Sequence, residues 1–203
     1  MKTVAGMMGC VIAGFCLLAP ARALQVSPAK TRLTEPWWVS AEFGEGQLKL
    51  ASDQRPGDRV PTFALGFAGG RQVGQRMRLG LKLNGWLLQA FSPNDPTKGV
   101  SVSNVMGIAD VFPSPRYRVF VRGGLGWASY TNNQAPGLNG NGLAWETGAG
   151  YEIPLRSHVR LVPMAEYAAG RFGDAHDPAE ALTGRTYSVF ELKVALVYRF
   201  GRH

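Results

Sequence analysis

Apolar and polar side chains alternate with a period of two along most of the chain. The clearest segment is 76–84, in which one face carries Met77, Leu79, Leu81 and Leu83 and the other carries Arg76, Arg78, Gly80, Lys82 and Asn84. Such alternation is typical of a β-strand with one apolar face. The same pattern recurs in six further segments: 37–44, 63–70, 116–127, 143–155, 158–170 and 187–200. The sequence therefore predicts seven amphipathic strands.

An eighth strand is predicted at 100–112 from its Val and Ile content. Its alternation is less clean, because Asn104 and Asp110 share a phase with Met106 and Ile108. This leaves open which of its faces is which.

The connections alternate in length. Segments 51–61, 131–141 and 172–186 are long and 92–98 is intermediate, whereas 71–75, 113–115 and 155–157 are short. Long loops at one end and tight turns at the other are typical of membrane barrels. The predicted fold is therefore all-β, an eight-stranded antiparallel up-and-down transmembrane β-barrel with both termini on the short-turn, periplasmic side.

The first residues are typical of a signal peptide. Lys2 precedes an apolar stretch at 4–18, and Ala21-Arg22-Ala23 follows Pro20 as a small-x-small cleavage pattern. We expect 1–23 to be a cleaved signal peptide and 24–203 to be the barrel domain; the alternative is an uncleaved anchor. Both cysteines lie in the signal, so the mature chain would have neither a disulfide nor a thiolate metal site.

The chain is basic, with a formal net charge of +8 that falls to +6 once Lys2 and Arg22 are removed. A basic excess would suggest nucleic acid as a partner. Export to the cell envelope argues against that partner, so no nucleic-acid partner is predicted. The basic charges therefore need another explanation.

The sizes of the side chains distinguish a membrane barrel from a soluble, lipocalin-like ligand-binding barrel, in which the apolar face points inward. The apolar faces carry many large aromatics, and the interior of an eight-stranded barrel is too narrow to hold them. The polar faces carry glycines, which leave room for long charged side chains. The apolar faces are therefore predicted to contact lipid, with Glu45 as a charged exception close to a predicted loop.

The opposite faces then define a polar network in the lumen. It comprises Glu42, Arg76, Arg78, Lys82, Arg116, Arg118, Arg122, Glu146, Glu152, Arg160, Glu166, Glu191, Lys193 and Arg199. Buried charges must pair or stay hydrated, so the main expectation is a salt-bridged core. The set has nine bases and five acids, and this excess makes a narrow, anion-favouring pore the alternative.

The final strand, 187–200, closes with Tyr198-Arg199-Phe200. With this strand as the most specific part, the whole mature chain resembles the small outer-membrane β-barrel family of OmpA/OmpX type. The turn 111–115 and the rising strand 119–124 also resemble uncharacterised outer-membrane β-barrel proteins. The resemblance implies a monomer in outer-membrane lipid and lipopolysaccharide, with Tyr198 and Phe200 as an assembly signal read by the barrel-assembly machinery. Gly201-Arg202-His203 follows the aromatic end and departs from the family pattern.

Candidate chemistry is sparse. A resemblance to the lipid A deacylases of this fold would require a His-x-Ser pair. None of the histidines at 158, 176 and 203 is followed by Ser two positions later. Ser157 and His158 would point to opposite faces of a strand. The segment 174–177 contains acids that could hold a cation, but a flexible polar loop is the preferred explanation. We therefore expect a structural or surface-interaction protein with no catalytic set, cofactor or metal; a lipid A-modifying enzyme is the remaining alternative.

Overall fold

The computed structural model of the chain describes residues 37–53, 56–87, 100–114, 116–132, 139–177 and 180–200, without the side chains of 100 and 175–182. The predicted signal peptide and the residues after Phe200 lie outside this part. Within it, no helix has the length and apolar character needed to span a bilayer.

Nine antiparallel strands form a single sheet: β1 (Trp37–Ala51), β2 (Arg59–Val73), β3 (Met77–Leu87), β4 (Val100–Val111), β5 (Val119–Asn132), β6 (Gly140–Tyr151), β7 (Ile153–Pro154), β8 (Val159–Asp177) and β9 (Glu180–Phe200). From β1 to β6 each strand pairs with its neighbour in sequence, β8 pairs with β6, β7 and β9, and β9 pairs with β1 to close the sheet. The two-residue β7 continues β6 beyond Glu152 along the same edge of β8. The wall therefore has eight strands, and the predicted barrel is confirmed.

The pleat places the apolar side chains outside. On β3, the side chain of Leu81 is 68% exposed, whereas its neighbour Lys82 is 0% exposed. The same alternation exposes Phe67 on β2 and Leu192 on β9. A soluble barrel would bury this face, so the lipocalin-like alternative is wrong.

The structure shows which face of strand β4 points into the lumen. Asn104, Met106, Ile108 and Asp110 are all buried in the lumen, whereas Val105 on the other face is exposed. The polar and the apolar residues of this phase therefore both face the lumen, so the lumen is not lined by polar side chains alone.

The predicted loop 172–186 is largely a continuation of β8 and β9, paired with each other as far as Asp177 and Glu180. We call residues 172–177 and 180–185 the arm. Register shifts flank Gly173, and such bulges break strict alternation, which is why the pattern resembled a loop. The opposite, short-turn end has compact connections at 74–76 and 155–158, as predicted.

The arm is braced against the connection that follows β1. The backbone N–H of Asp53 donates to the carbonyl of Thr183 at 3.1 Å, and the Thr183 hydroxyl donates to Asp53 Oδ2 at 3.1 Å. Gly184 adopts a φ of 60° and its N–H donates to Asp174 Oδ1 at 3.0 Å. A side chain at position 184 would collide with Asp53, so this contact requires glycine.

Candidate functional site

Inward positions on seven of the eight wall strands bring charged side chains into one network. Its acids are Glu42, Asp110, Glu146, Glu152, Glu166 and Glu191, and its bases are Arg78, Lys82, Arg122, Lys193 and Arg199. β2 supplies none of these, because its inward positions hold Thr62, Ala64, Gly66, Ala68 and Gly70. The small side chains on β2 leave space for the long ones of the other strands.

Glu166 lies at the centre of the network. Its Oε2 accepts a hydrogen bond from Lys82 Nζ at 2.7 Å, and its Oε1 accepts one from Arg122 Nη1 at 3.0 Å. Lys193 on the adjacent strand β9 forms a third ion pair with the same carboxylate. Glu146 accepts a further hydrogen bond from Lys82 at 2.9 Å. A single buried carboxylate is thus surrounded by three cations.

Towards the short-turn end, two acids bridge pairs of arginines. Asp110 Oδ1 accepts from Arg122 Nε at 2.7 Å, and its Oδ2 accepts from Arg78 Nη2 at 2.7 Å. Glu152 accepts from Arg78 Nη1 at 2.5 Å and from Arg199 Nη2 at 2.7 Å. The network therefore continues from the centre of the lumen to its lower end.

Two of these ion pairs span the full width of the barrel. Lys82 on β3 and Glu166 on β8 lie four strands apart around the eight-stranded wall, and so do Glu42 on β1 and Arg122 on β5. Four strands is half the circumference, so each pair joins opposite walls. The two diagonals cross, which leaves the middle of the lumen filled with paired charge.

An aromatic layer packs around Arg78 at the lower end of the network. The Arg78 guanidinium lies 5.0 Å from the ring centres of Trp38 and Phe112 and 5.1 Å from that of Phe120. All three rings are buried. Cation–π contacts of this kind stabilise a desolvated guanidinium, so this layer supports the ion pairs of Arg78.

A second aromatic layer closes the lumen towards the arm. Phe172 and Tyr187 stack with ring centres 4.9 Å apart, and Tyr130 lies 5.5 Å from Phe172. Trp86 packs against Tyr187 and donates from Nε1 to Glu191 Oε2 at 2.8 Å. The upper layer is therefore linked by a hydrogen bond to the charges below it. Neither layer was expected from the sequence, because the large aromatics were predicted to lie on the outer face.

Glycine on the inward face makes close packing possible. A Cβ at Gly148 would lie 2.7 Å from the Glu166 side chain and 2.7 Å from the carbonyl of Ala165. A Cβ at Gly124 would lie 2.8 Å from the Glu146 side chain. The expectation that inward glycines make room for long charged side chains agrees with these distances.

Several predicted members of the lumen network lie elsewhere. Arg76, Arg116 and Arg118 are exposed at the short-turn end, because each lies in a connection beyond the end of a strand. Arg160 is half-buried and its guanidinium donates to the carbonyls of Arg156 and Ser157. Asp110 was missing from the predicted set. Among the described residues the ion-paired network holds five bases and six acids, so the predicted basic excess was wrong.

Tyr198 and Phe200 are exposed on the outer face of β9 with their ring centres 6.1 Å apart, and their role as an assembly signal stays a prediction. The His158 ring lies 6.1 Å from that of Tyr198. The Asp174 carboxylate caps the Gly184 N–H. The side chains at 176 and 177, and position 203, lie outside the described part.

A closed barrel with an apolar exterior and an ion-paired interior defines the class of this protein: it is an eight-stranded transmembrane β-barrel with a polar, salt-bridged core.

Comparison with solved structures shows that this fold is the one found in small outer-membrane barrels. The chain is similar to the neisserial surface protein A, at 15% identity and a TM-score of 0.52 over 81% of this chain and 97% of that one. Ail, the attachment invasion locus protein of Yersinia pestis, aligns at 12% identity and a TM-score of 0.48 over 81% and 99%. OprG of Pseudomonas aeruginosa aligns at 13% identity and a TM-score of 0.41 over 83% and 98%. No protein-family model and no curated protein sequence matches the chain.

Proposed function

We propose that this outer-membrane barrel acts through its long-loop end, in a structural or surface-interaction role, and that it neither conducts solutes nor catalyses a reaction. The observation that carries the proposal is the filled lumen. Opposite walls are joined by buried ion pairs between Lys82 and Glu166 and between Arg122 and Glu42. A solute would have to separate these pairs, and a buried charge left without its partner is strongly unfavourable.

The arm supports the interaction part of the proposal. It extends the β8–β9 hairpin beyond the last residue of β8 that pairs with β6, Gly170. Asp53 and the buried Phe172 hold its base. A braced hairpin presents backbone and side chains to a partner at a lower entropic cost than an unstructured loop does. On this proposal, the long-loop end faces the outside of the cell.

The charges in the lumen argue against the alternative of a narrow, anion-favouring pore. That hypothesis depended on a surplus of lumen cations, but Arg76, Arg116 and Arg118 are exposed and Asp110 is an additional buried acid. With five bases and six acids in the ion-paired network of the described residues, no excess of cations is left to favour anions.

Two measurements test the proposal. The purified protein in planar bilayers is expected to give no channel events, and steady unitary conductance from it would overturn the non-conducting part. Cells expressing the full chain are then compared with cells in which 175–182 is replaced by a two-residue turn. Reduced adhesion or surface binding with unchanged permeability is expected, and equal adhesion would refute a role for the arm.

A further inference from the structure

An open groove of about 800 Å³ lies on the outer wall near the long-loop end and extends over β5, β6, β8, β9 and β1. Its floor consists of the small side chains Ala169, Thr186 and Ser188. The apolar side of the groove is formed by Leu125, Leu143, Trp145 and Tyr167. Leu125 and Leu143 are 74% and 71% exposed, the highest values among the large hydrophobic side chains that the structure describes.

Two cations lie beside the same floor. Arg171 on β8 is opposite Thr186 on β9, and Lys49 on β1 is opposite Ser188 on β9. Neither cation forms an ion pair with any residue in the described part of the chain. Glu45 is four residues from Lys49 on the same strand, about 13 Å away at strand rise, which is too far to neutralise it.

The groove lies where the outer wall changes from apolar to polar. Along β9 the outward residues change from Leu192 and Phe190 to Ser188 and Thr186 towards the arm. This is the level at which a bilayer changes from acyl chains to headgroups. An occupant must therefore present hydrocarbon to Trp145 and Tyr167 and an anion to Arg171 and Lys49.

We propose that the groove binds a phosphorylated, multiply acylated lipid of the surrounding leaflet. Acyl chains lie along Trp145, Tyr167 and Ala169, and a phosphate lies between Arg171 and Lys49. Arginine matches the geometry of phosphate and lysine adds a compact charge, while the hydroxyls of Thr186 and Ser188 can donate to the remaining oxygens. The groove crosses five strands, about 19 Å at the usual strand spacing, which gives several chains room side by side.

The test is native mass spectrometry of the full chain in detergent micelles, titrated with hexa-acylated bisphosphorylated lipid A. Arg171→Gln and Lys49→Gln are each expected to weaken binding about 5-fold and together about 25-fold. The matched control, Arg76→Gln, removes the same charge at the opposite end of the barrel and is expected to leave binding unchanged. Ser188→Trp keeps the charge but fills the floor, and is expected to weaken binding more than 10-fold by blocking the chains.

Three results would overturn the proposal. Dephosphorylated lipid A binding as tightly as the phosphorylated form would refute the phosphate contact. Equal losses in Arg76→Gln and Arg171→Gln would show attraction to overall charge and no defined site. Phosphatidylglycerol binding as tightly as lipid A would refute the preference for a multiply acylated lipid. The heat-modifiable mobility of each variant shows that the barrel is folded, so a loss of binding is not a loss of structure.

Discussion

The inner and outer faces of the wall are built from the same strands but follow different rules. On β3, Lys82 contacts carboxylates from β6 and β8, whereas the adjacent Leu81 points away from the barrel. Lys82 must match the position and charge of particular partners. Leu81 has only to be apolar, because lipid adapts to its shape. The outer face is thus specified by composition, and the inner face by complementarity.

Arg122→Met is expected to have the largest effect, because it strips Glu42, Asp110 and Glu166 of a shared cation. Loss of one partner from a buried ion pair typically costs about 3–5 kcal/mol. Urea unfolding in lipid vesicles, followed by tryptophan fluorescence, measures this change. Arg118→Met is the matched control, since Arg118 is exposed in a turn, and it should change the free energy of unfolding by less than about 0.5 kcal/mol. Equal effects would mean that the inner face is not specified by its partners.

Leu81→Arg tests whether the outer face requires apolar side chains. A cation facing lipid near the middle of the membrane is expected to cost about 2–4 kcal/mol. Leu81→Phe, which changes the shape but keeps the side chain apolar, should fold and unfold like the wild type in the same assay. A comparable loss with Phe would show that the outer face also demands a specific shape.

Gly148→Ala is expected to destabilise the barrel by about 1–3 kcal/mol, the usual range for overpacking, because the added Cβ would meet Glu166 and the Ala165 carbonyl. Gly123→Ala adds the same methyl group to the outer face of β5, where nothing lies within 4 Å. That control should be neutral or stabilise by up to about 1 kcal/mol. Similar midpoints for the two variants would contradict the difference between the faces.

Asp53→Ala should have the smallest effect on stability, and this effect should be confined to the arm. Removal of its hydrogen bond with Thr183 is expected to lower the local stability of the arm by about 1 kcal/mol. Hydrogen–deuterium exchange should then accelerate in 172–186 and stay constant in β3 and β4. Asp58→Ala, an exposed acid in the same connection, provides the control. Faster exchange throughout the barrel would show that the arm and wall open together.

The fold and the outer face were predictable from sequence because alternation is a local property of a strand. The prediction failed where strands stop or slip. Arg76, Arg116 and Arg118 have the inward parity, but they lie beyond strand ends, where parity no longer fixes direction. The bulges around Gly173 interrupt the alternation of inward and outward side chains, so the sequence of the arm was interpreted as a loop.

The ion-pair partners and the aromatic layers required three-dimensional information. Alternation shows that Lys82 points inward, but it does not show that the opposite wall brings Glu166 to meet it. Trp86 and Phe120 share a phase with charged residues, and whether such rings fit depends on small neighbours across the lumen. Gly150 is one of these, since a Cβ there would lie 2.6 Å from the Phe120 ring. The sequence shows the glycine but not what it faces.

The crossed diagonals between opposite walls have a mechanical consequence. A barrel held only by hydrogen bonds around its circumference can flatten into an ellipse without breaking any of them. Here, flattening along the Lys82–Glu166 direction would stretch the Arg122–Glu42 pair, and flattening along the Arg122–Glu42 direction would stretch the Lys82–Glu166 pair. The two ion pairs therefore oppose flattening of the cross-section along these two directions, at the level of the wall that carries the arm's strands β8 and β9.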